Sequence, residues 1–350
     1  MKRKIRVALL FGGRSAEHEI SLRSAKNVAD AIDKRKYEVI AIGIDRSGHW
    51  LPPIESRRLL ASASFVPPHV SKDSGLALVA GENENKVDVV FPILHGPFGE
   101  DGTVQGLLRL ANVPFVGAGV LGSAVAMDKD VTKRLLRDAG LPIPNFLVAT
   151  KENPVTFKAA QRMLGLPLFV KPANLGSSVG IAKVRDEKEF KEAMREALRF
   201  DTKVLIEEFI KGREIECAVL GNEEPRASVP GEIIVHHDFY SYEAKYLDEN
   251  GASLKIPAKL PKNIAEKIRR LAIQVFQTVG CEGMARVDFF LTDSGKVYVN
   301  EINTIPGFTS ISMYPKLWEY SGIPYQKLID KLITFAIERF KKQQKLQVTL

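Results

Sequence analysis

The sequence predicts an α/β fold divided into two or three domains. The chain has 350 residues, more than one ordinary domain usually contains. It opens with a strand and glycine turn, IRVALLFGG, and continues as a helix from about Ser15 past Asn27. The segment VDVVFPIL, residues 87–94, is a continuous apolar run of the kind found in buried parallel strands. Residues 1–125 are therefore predicted to form an α/β domain.

A polar loop, HGPFGEDG, follows that second strand and begins at His95. Open α/β sheets bind ligands at the carboxyl ends of their strands, so this loop is predicted to carry polar chemistry. The stretch at about 52–75 is rich in proline and serine and is predicted to be a surface connection.

Residues 126–213 are predicted to form a second, smaller α/β unit. MDKDVTKRLLRDAG indicates a helix that ends at Gly140. PLFVKPANLGSSVGIAKV indicates a strand, a glycine loop and a strand, and a helix is expected from about Glu187 to Phe200. VLIEEFI is a further strand.

The remainder, residues 214–350, is predicted to form a third unit. It begins with the strand EIECAVLG and continues through a polar loop at about 231–251, which we expect to be mobile. A helix at about 261–279 precedes the strands MARVDFFL and KVYVNEIN. An amphipathic helix from about Tyr325 closes the chain.

Composition indicates a soluble globular protein, and the positive net charge indicates a basic soluble surface or an acidic partner. Hydrophobic residues make up 45% of the chain, charged residues make up 26%, and the net charge is +8. The basic residues are spread along the chain, with no aromatic-rich RNA-binding pattern and no zinc-finger spacing, so we expect no nucleic acid partner. A basic soluble surface is the favoured interpretation of this charge; if the protein has an acidic partner, nucleotide phosphates are the one expected first.

The sequence also predicts a location in a reducing cytoplasm. No apolar run approaches the length of a membrane span. Basic residues before residues 7–11 imitate a secretory signal, but that run is too short and polar residues follow at once. Cys217 and Cys281 lie in apolar stretches and are expected to be core thiols.

The last two strands are predicted to form a hairpin with a two-residue turn at Ser294-Gly295. Four polar side chains then share one face, because strand side chains alternate. Asp288 would lie opposite Glu301, and Arg286 opposite Asn303. The other face is expected to carry Val287, Phe289, Leu291, Tyr298 and Ile302, with Asn300 as the single polar exception.

That polar face predicts a divalent cation. Asp288 and Glu301 would repel one another side by side, with no basic residue between them. Oxygen ligands of this kind, with the amide of Asn303, select a hard ion such as Mg²⁺. A solvated hairpin face is the alternative interpretation, and a slip of one residue in register would remove the site.

A glycine loop provides a candidate phosphate site. Lys171 ends a strand, and residues 174–180 (NLGSSVG) follow. Small residues let backbone N–H groups approach phosphate oxygens, and the lysine adds positive charge. The Walker sequence GxxxxGK[ST] is absent. Taken alone, the segment also fits an ordinary hairpin.

Two further segments concern nucleotide binding. In VLIEEFIKGREIE a strand breaks at Lys211-Gly212, and this backbone could accept a flat adenine, although a solvated charged linker is the alternative. Residues 117–122 (GAGVLG) match the dinucleotide pattern GxGxxG, but no second strand with an acidic end follows at the required distance. The second segment therefore does not predict a dinucleotide site.

In order along the chain, FGGRSAEHEIS, HGPFGEDG, MDKDVTKRLL, FVKPANLGSSVG, LIEEFIKGREIE, EAKY, ARVDFF and NEINTIPGFTSISMYPKLW resemble the D-alanine–D-alanine ligases of the ATP-grasp superfamily. The resemblance covers nearly the whole chain, and NEINTIPG and GSSVG in this order are its most specific parts. It implies a three-domain ATP-grasp architecture, in which an N-terminal parallel α/β domain precedes two α+β domains that clasp ATP. It also implies a homodimer.

The resemblance implies a role for each matching residue. ATP binding falls to Lys129, Lys171, Ser178, Glu207, Glu208, Phe209, Ile210, Glu214, Lys245 and Asn300. Two Mg²⁺ ions, for which Mn²⁺ can substitute, would be held by Asp288, Glu301 and Asn303. Substrate binding falls to Glu17, His95, Arg286, Ser312 and Lys245. Catalysis involves Glu17, Ser177, Arg286, Tyr246, Gly307 and Ser312.

The implied reaction joins two D-alanine molecules through an acyl phosphate, for peptidoglycan precursor synthesis. Glu17, Ser177 and Tyr246 are expected to pin the loop at 231–251 over the intermediate. Tyr246 favours D-alanine over D-lactate as the second substrate; ligases that use D-serine are a further rival. A catalytically silent ATP-binding sensor is the alternative from another class. His236-His237 has no role that the resemblance assigns.

Overall fold

Three β-sheets with helices packed against them make up the fold. The structure is a computed structural model that describes residues 3–62, 87–176, 179–235 and 252–347. The sequence prediction of an α/β fold is confirmed, since one sheet is parallel and the other two are antiparallel.

The first sheet is parallel, with the strand order β2-β1-β3. Its strands are β1 (Ile5–Gly12), β2 (Tyr37–Ile44) and β3 (Val89–Ile93). Its helices are α1 (His18–Ala31), α2 (Pro53–Ala61) and α3 (Thr103–Leu110). Residues 7–12 of the central strand β1 are all buried, because the strand is covered on both faces.

Two expectations for this region are corrected. Helix α1 begins at His18 rather than near Ser15, because Gly12 and Gly13 turn the chain with positive φ angles before it. The expected surface connection at 52–75 contains helix α2, whose Ser56 side chain is buried and accepts a hydrogen bond of 2.9 Å from the Gly43 N–H. Residues 63–75 lie outside the described part of the chain.

The second sheet is antiparallel, with the order β4-β7-β5-β6. Its strands are β4 (Phe146–Thr150), β5 (Leu168–Pro172), β6 (Ala182–Val184) and β7 (Lys203–Glu208). The helices are α4 (Val120–Met127), α5 (Lys129–Asp138), α6 (Phe157–Leu164) and α7 (Glu187–Phe200). Asp128 caps α5 by accepting the N–H groups of Asp130 and Val131.

The third sheet is antiparallel, with the order β11-β10-β8-β12-β13 and a short β9 beside β8. Its strands are β8 (Arg213–Gly221), β9 (Arg226–Ala227), β10 (Gly231–Val235), β11 (Ala252–Lys255), β12 (Gly283–Leu291) and β13 (Val297–Asn303). Helices α8 (Lys262–Thr278), α9 (Met313–Tyr320) and α10 (Tyr325–Gln343) complete it. The loop predicted at 231–251 is corrected at its start, because residues 231–235 form β10, in which residues 231–233 pair with β8. Residues 236–251 lie outside the described part.

The first and third sheets share one hydrophobic core. Side chains of β1 and β3 belong to the same buried cluster as Phe308 and the inner faces of α9 and α10. Arg339 on α10 reinforces this contact, because its guanidinium donates to the carbonyls of Phe115 (2.8 Å) and Gly117 (2.6 Å). The polar strand ends of the first sheet are thereby held against the third.

Cys217 and Cys281 are free thiols and are buried, as expected. Burial raises the pKa of each thiol to about 12, so both are neutral at physiological pH. None of the helices in the described residues has both the length and the apolar character that crossing a bilayer requires.

Candidate active site

The β12–β13 hairpin places four polar residues on one face, as predicted. Asp288 pairs with Glu301 and Arg286 with Asn303. The predicted two-residue turn is wrong. The N–H of Thr292 bonds to the Lys296 carbonyl at 2.9 Å, so three residues form the loop.

A β-bulge reconciles this longer turn with the predicted pairs. Near the turn the register is one residue away from the predicted one, with Phe289 opposite Val299, and it shifts between Asp288 and Phe289. Asn300 is the extra residue. Consequently Val299 faces the core and is fully buried, whereas Tyr298, predicted to face the core, is only partly buried.

The prediction that no cation of the protein neutralises the two acids is wrong. Arg286 donates to both carboxylate oxygens of Asp288 at 2.7 Å, and its Nε lies 3.0 Å from Glu216 Oε2. Burial alone would lower the pKa of Arg286, but Asp288 and Glu216 outweigh it and raise the pKa well above its usual value. Glu301 lies 4.0 Å from Lys129 Nζ.

The donor set on this face nevertheless fits a hard cation. Asp288, Glu301 and Asn303 supply carboxylate and amide oxygens from adjacent strands, and the Asn303 side chain contacts Asp288 at 3.0 Å. Among the residues that the structure describes, no group of three or more His, Cys, Asp and Glu side chains could hold a metal ion. Two carboxylates and an amide therefore require further oxygens, such as those of phosphates.

Three lysines converge beside this face from the second sheet and its helix. Lys129 begins α5, and its Nζ donates to the Leu175 carbonyl of the glycine loop at 2.5 Å. Lys171 on β5 forms an ion pair with Glu207 on β7. Lys133, which the sequence reasoning missed, also forms an ion pair with Glu207. Lys133 could have been predicted, because it lies four residues after Lys129 and residues four apart share one face of a helix.

The segment predicted to hold adenine follows β7. The Phe209 ring packs against Phe169, with 6.0 Å between ring centroids, and Lys183 Nζ lies 4.3 Å from the Phe209 centroid. Lys183 and Phe169 were not predicted, because they come from β6 and β5. The remaining predicted residues are the half-buried Glu208, which accepts the Asn145 N–H at 2.7 Å, Ile210 after β7, and Glu214 on β8 opposite Phe290.

Glu17 lies where the polar loop of the first sheet meets the glycine loop. Its Oε2 atom is 3.0 Å from the point that a Cβ on Gly96 would occupy and 3.5 Å from the corresponding point on Gly176. The carboxylate of Glu17 therefore lies beside both loops, which were predicted separately.

His95 and Glu100 join the polar loop to the chain after β13. His95 contacts the Ile305 carbonyl at 3.0 Å and Ser24 Oγ at 3.2 Å, so both ring nitrogens meet protein atoms. Glu100, which sequence reasoning missed, accepts the N–H of Gly96 (2.7 Å) and of Ile305 (3.2 Å). Burial, followed by repulsion from Glu17, raises the pKa of Glu100 to about 8.

Gly307 and Ser312 lie together after β13. Ser312 Oγ is 2.7 Å from Thr309 Oγ1 and 3.0 Å from the point where a Cβ on Gly307 would lie. Other predicted residues lie outside the described part of the chain, and their roles stay predictions: Ser177, Ser178, Lys245, Tyr246, and the unassigned pair His236-His237.

Two family models match the chain. The model described as D-ala D-ala ligase N-terminus matches residues 6–118, and the model described as D-ala D-ala ligase C-terminus matches residues 135–334. The chain belongs to the D-alanine–D-alanine ligase family. This membership carries with it the ATP-grasp fold.

Individual relatives of this ligase family cover nearly the whole chain. A D-alanine–D-alanine ligase of Oceanobacillus iheyensis is 52% identical, over 99% of this chain and 98% of that protein. The solved D-alanine-D-alanine ligase from Coxiella burnetii has a TM-score of 0.84 and 44% identity, over 98% of this chain and 96% of that one. The VanG D-Ala:D-Ser ligase from Enterococcus faecalis has a TM-score of 0.81 and 38% identity, over 95% and 100%.

The residues of the site are divided between the matches to the two ligase family models. The N-terminal match contains Glu17, His95 and Glu100, and the C-terminal match contains Lys171 and the residues of β12 and β13. Residues 119–134, which hold Lys129 and Lys133, lie between the two matches.

Proposed function

We propose that this chain is an ATP-dependent ligase that joins two D-alanine molecules into D-alanyl-D-alanine for peptidoglycan precursor synthesis. The observation that carries the proposal is full-length membership of the ligase family together with an intact polar face. That face holds Arg286, Asp288, Glu301 and Asn303 opposite Lys129.

ATP is the co-substrate of this family and would lie between the second and third sheets. Lys129 and Lys171 would contact its phosphates, and the chain around Phe209 would hold the adenine. Asp288, Glu301 and Asn303 would hold Mg²⁺, or Mn²⁺ in its place. Bound Mg²⁺ supplies the positive charge that phosphoryl transfer requires.

The chemistry begins with activation of a carboxylate, which is a poor acylating agent. Transfer of the γ-phosphoryl group of ATP to the carboxylate of the first D-alanine gives an acyl phosphate and ADP. The amine of the second D-alanine attacks the acyl carbon, and collapse of the tetrahedral oxyanion expels phosphate. Arg286 and the Gly307 N–H would stabilise that oxyanion, and loss of one such donor typically costs about 3–4 kcal/mol of barrier.

The first D-alanine would be bound by its ammonium group. Glu17 supplies a carboxylate between the polar loop and the glycine loop, next to Gly96 and Gly176. Since Lys129 also contacts the glycine loop, the ammonium site lies next to the proposed phosphate site. This juxtaposition is what carboxylate phosphorylation requires.

The second substrate is proposed to be D-alanine rather than D-lactate or D-serine. The rivals remain relevant because VanG, a D-Ala:D-Ser ligase, is 38% identical to this chain. We expect D-lactate to fail near neutral pH when supplied with D-alanine, and mass analysis of the products would detect the depsipeptide. Appreciable depsipeptide would overturn this assignment.

Phosphate release distinguishes a ligase from an ATP-binding sensor. Release should be slow with ATP and Mg²⁺ alone and should rise strongly when D-alanine is added. A rate of phosphate release that does not change when D-alanine is added would contradict the proposal. It would favour the sensor or a ligase for another substrate.

We also propose a cytoplasmic homodimer. Two buried free thiols support a reducing compartment, and the dimer rests on the family resemblance alone. Sedimentation equilibrium over a range of concentrations measures the mass, and a monomer at all concentrations would contradict the dimer.

A further inference from the structure

Glu207 lies between two lysines in a fully enclosed part of the site. Its side chain is 2% exposed, and its two carboxylate oxygens form ion pairs with different cations, Lys133 at Oε1 and Lys171 at Oε2. Lys133 is 1% exposed and Lys171 is 9% exposed. The group therefore brings two lysine side chains to one carboxylate.

The positions of the two lysines in the fold decide which of them can move away from Glu207. Lys171 lies opposite Leu205 in the β5–β7 pair, and Glu207 is two residues further along, so their side chains share one face. Lys171 is followed directly by the glycine loop, which contacts Lys129. Lys133 projects from α5 one turn after Lys129 and is closed off from solvent. Of the two lysines, Lys171 is the more exposed and lies next to the glycine loop, so it is the one that can turn to a phosphate.

We propose that Lys133 is a positioning residue for ATP binding, which keeps Glu207 paired when Lys171 moves to a nucleotide phosphate. This inference rests on the proposed function, because it requires ATP in this site. A buried carboxylate that loses its cation is strongly destabilised. Two lysines on one carboxylate avoid that cost, since one cation remains after the other is transferred.

The proposal predicts a specific defect for Lys133→Met, which keeps the length of the side chain and removes the charge. Lys171 must then neutralise Glu207 alone and competes poorly for phosphate. We expect the Kd for adenylyl imidodiphosphate with Mg²⁺, measured by isothermal titration calorimetry, to rise about 10–100-fold. The KM for ATP should rise similarly, while the KM for D-alanine should change much less.

A double-mutant cycle separates this role from general packing. In a Glu207→Gln background there is no carboxylate to neutralise. Adding Lys133→Met to Glu207→Gln should therefore change the nucleotide Kd by less than about threefold. This comparison stands even if Lys133→Met alone does not fold, because the double variant contains no unpaired carboxylate at this position.

Arg339→Met serves as the matched control, because it also replaces a buried cation by methionine, at a place where the cation holds backbone carbonyls. It should lower the melting temperature without changing nucleotide Kd. If wild-type protein fails to bind the nucleotide, the proposed function fails. If wild-type protein binds it and Lys133→Met binds equally well, or if Lys133→Met weakens binding equally in both backgrounds, the role of Lys133 is overturned.

Discussion

Arg286 lies at the centre of the polar face and pairs with Asp288 and Glu216. A substitution at Asp288 would therefore disturb both a proposed metal ligand and the position of a guanidinium that the reaction uses. Glu301 is the sharper probe, because it lies outside the bidentate Arg286–Asp288 pair; one of its oxygens is 4.0 Å from Lys129 Nζ.

Glu301→Gln should preserve the fold and abolish most ligase activity. Removing one carboxylate from an acid-rich face costs little stability without Mg²⁺, so the melting temperature should stay within about 2 °C of wild type. Loss of charge stabilisation should reduce kcat by on the order of 100-fold or more. A large drop in melting temperature without Mg²⁺ would instead give Glu301 a structural role.

The raised pKa of Glu100 predicts that the stability of the protein depends on pH. Its pKa is about 8 in the folded protein against an ordinary value of 4.5, so the folded state binds the proton more tightly. Its contribution to stability is therefore complete below about pH 4.5 and is lost as the pH rises through about 8. In urea unfolding at several pH values, Glu100→Gln should flatten this decline. An unchanged slope between pH 5 and 8 would refute the assignment.

At the scale of elements, the β12–β13 hairpin depends on a left-handed glycine in its loop. Gly295 has φ = 78° and a Cβ there would meet nothing closer than Ile264 Cδ1 at 3.9 Å, so conformation rather than space is limiting. Gly295→Ala should cost about 1–2 kcal/mol of unfolding free energy. Gly295→Asn should cost less, because asparagine tolerates this region. Equal losses in urea titrations would mean that strain is not the cause.

The same hairpin shows how much of the site could be predicted from the sequence. The polar face was predicted because alternation along each strand is local, and Arg286 and Asp288, two residues apart, necessarily share it. The loop length and the bulge were missed, although Asn300, the polar exception on the predicted apolar face, is itself the extra residue of the bulge. Glu216 joins the face from β8 through sheet pairing, which no local pattern indicates. Lys133 was detectable from its spacing to Lys129.

At the scale of the whole molecule, Arg339 connects α10 to the chain after β3. Its guanidinium satisfies two backbone carbonyls in a buried position, and it lies 3.3 Å from Glu282. Arg339→Met would leave those carbonyls without their donor, at a cost of about 2–4 kcal/mol. Thermal unfolding should show the loss, with KM for ATP unchanged. A changed KM at wild-type stability would contradict a purely structural role.

The arrangement of the sheets also limited what sequence could predict. Helices with clear periodicity, such as α7, were predicted with their observed ends. Helix α2 was missed because the stretch that contains it, residues 52–75, is rich in proline and serine, as loops often are. The helix is stabilised by burial of Ser56 and Leu59 against the sheet. The contact that joins His95 and Glu100 to Ile305 is similarly long-range and requires the shared core.

The most direct test of ligase activity is mass spectrometry of the product formed from ATP, Mg²⁺ and D-alanine. The account predicts D-alanyl-D-alanine, with one ADP and one phosphate released for each dipeptide. ATP consumption without dipeptide, or a dipeptide formed only when another amino acid is supplied, would contradict it.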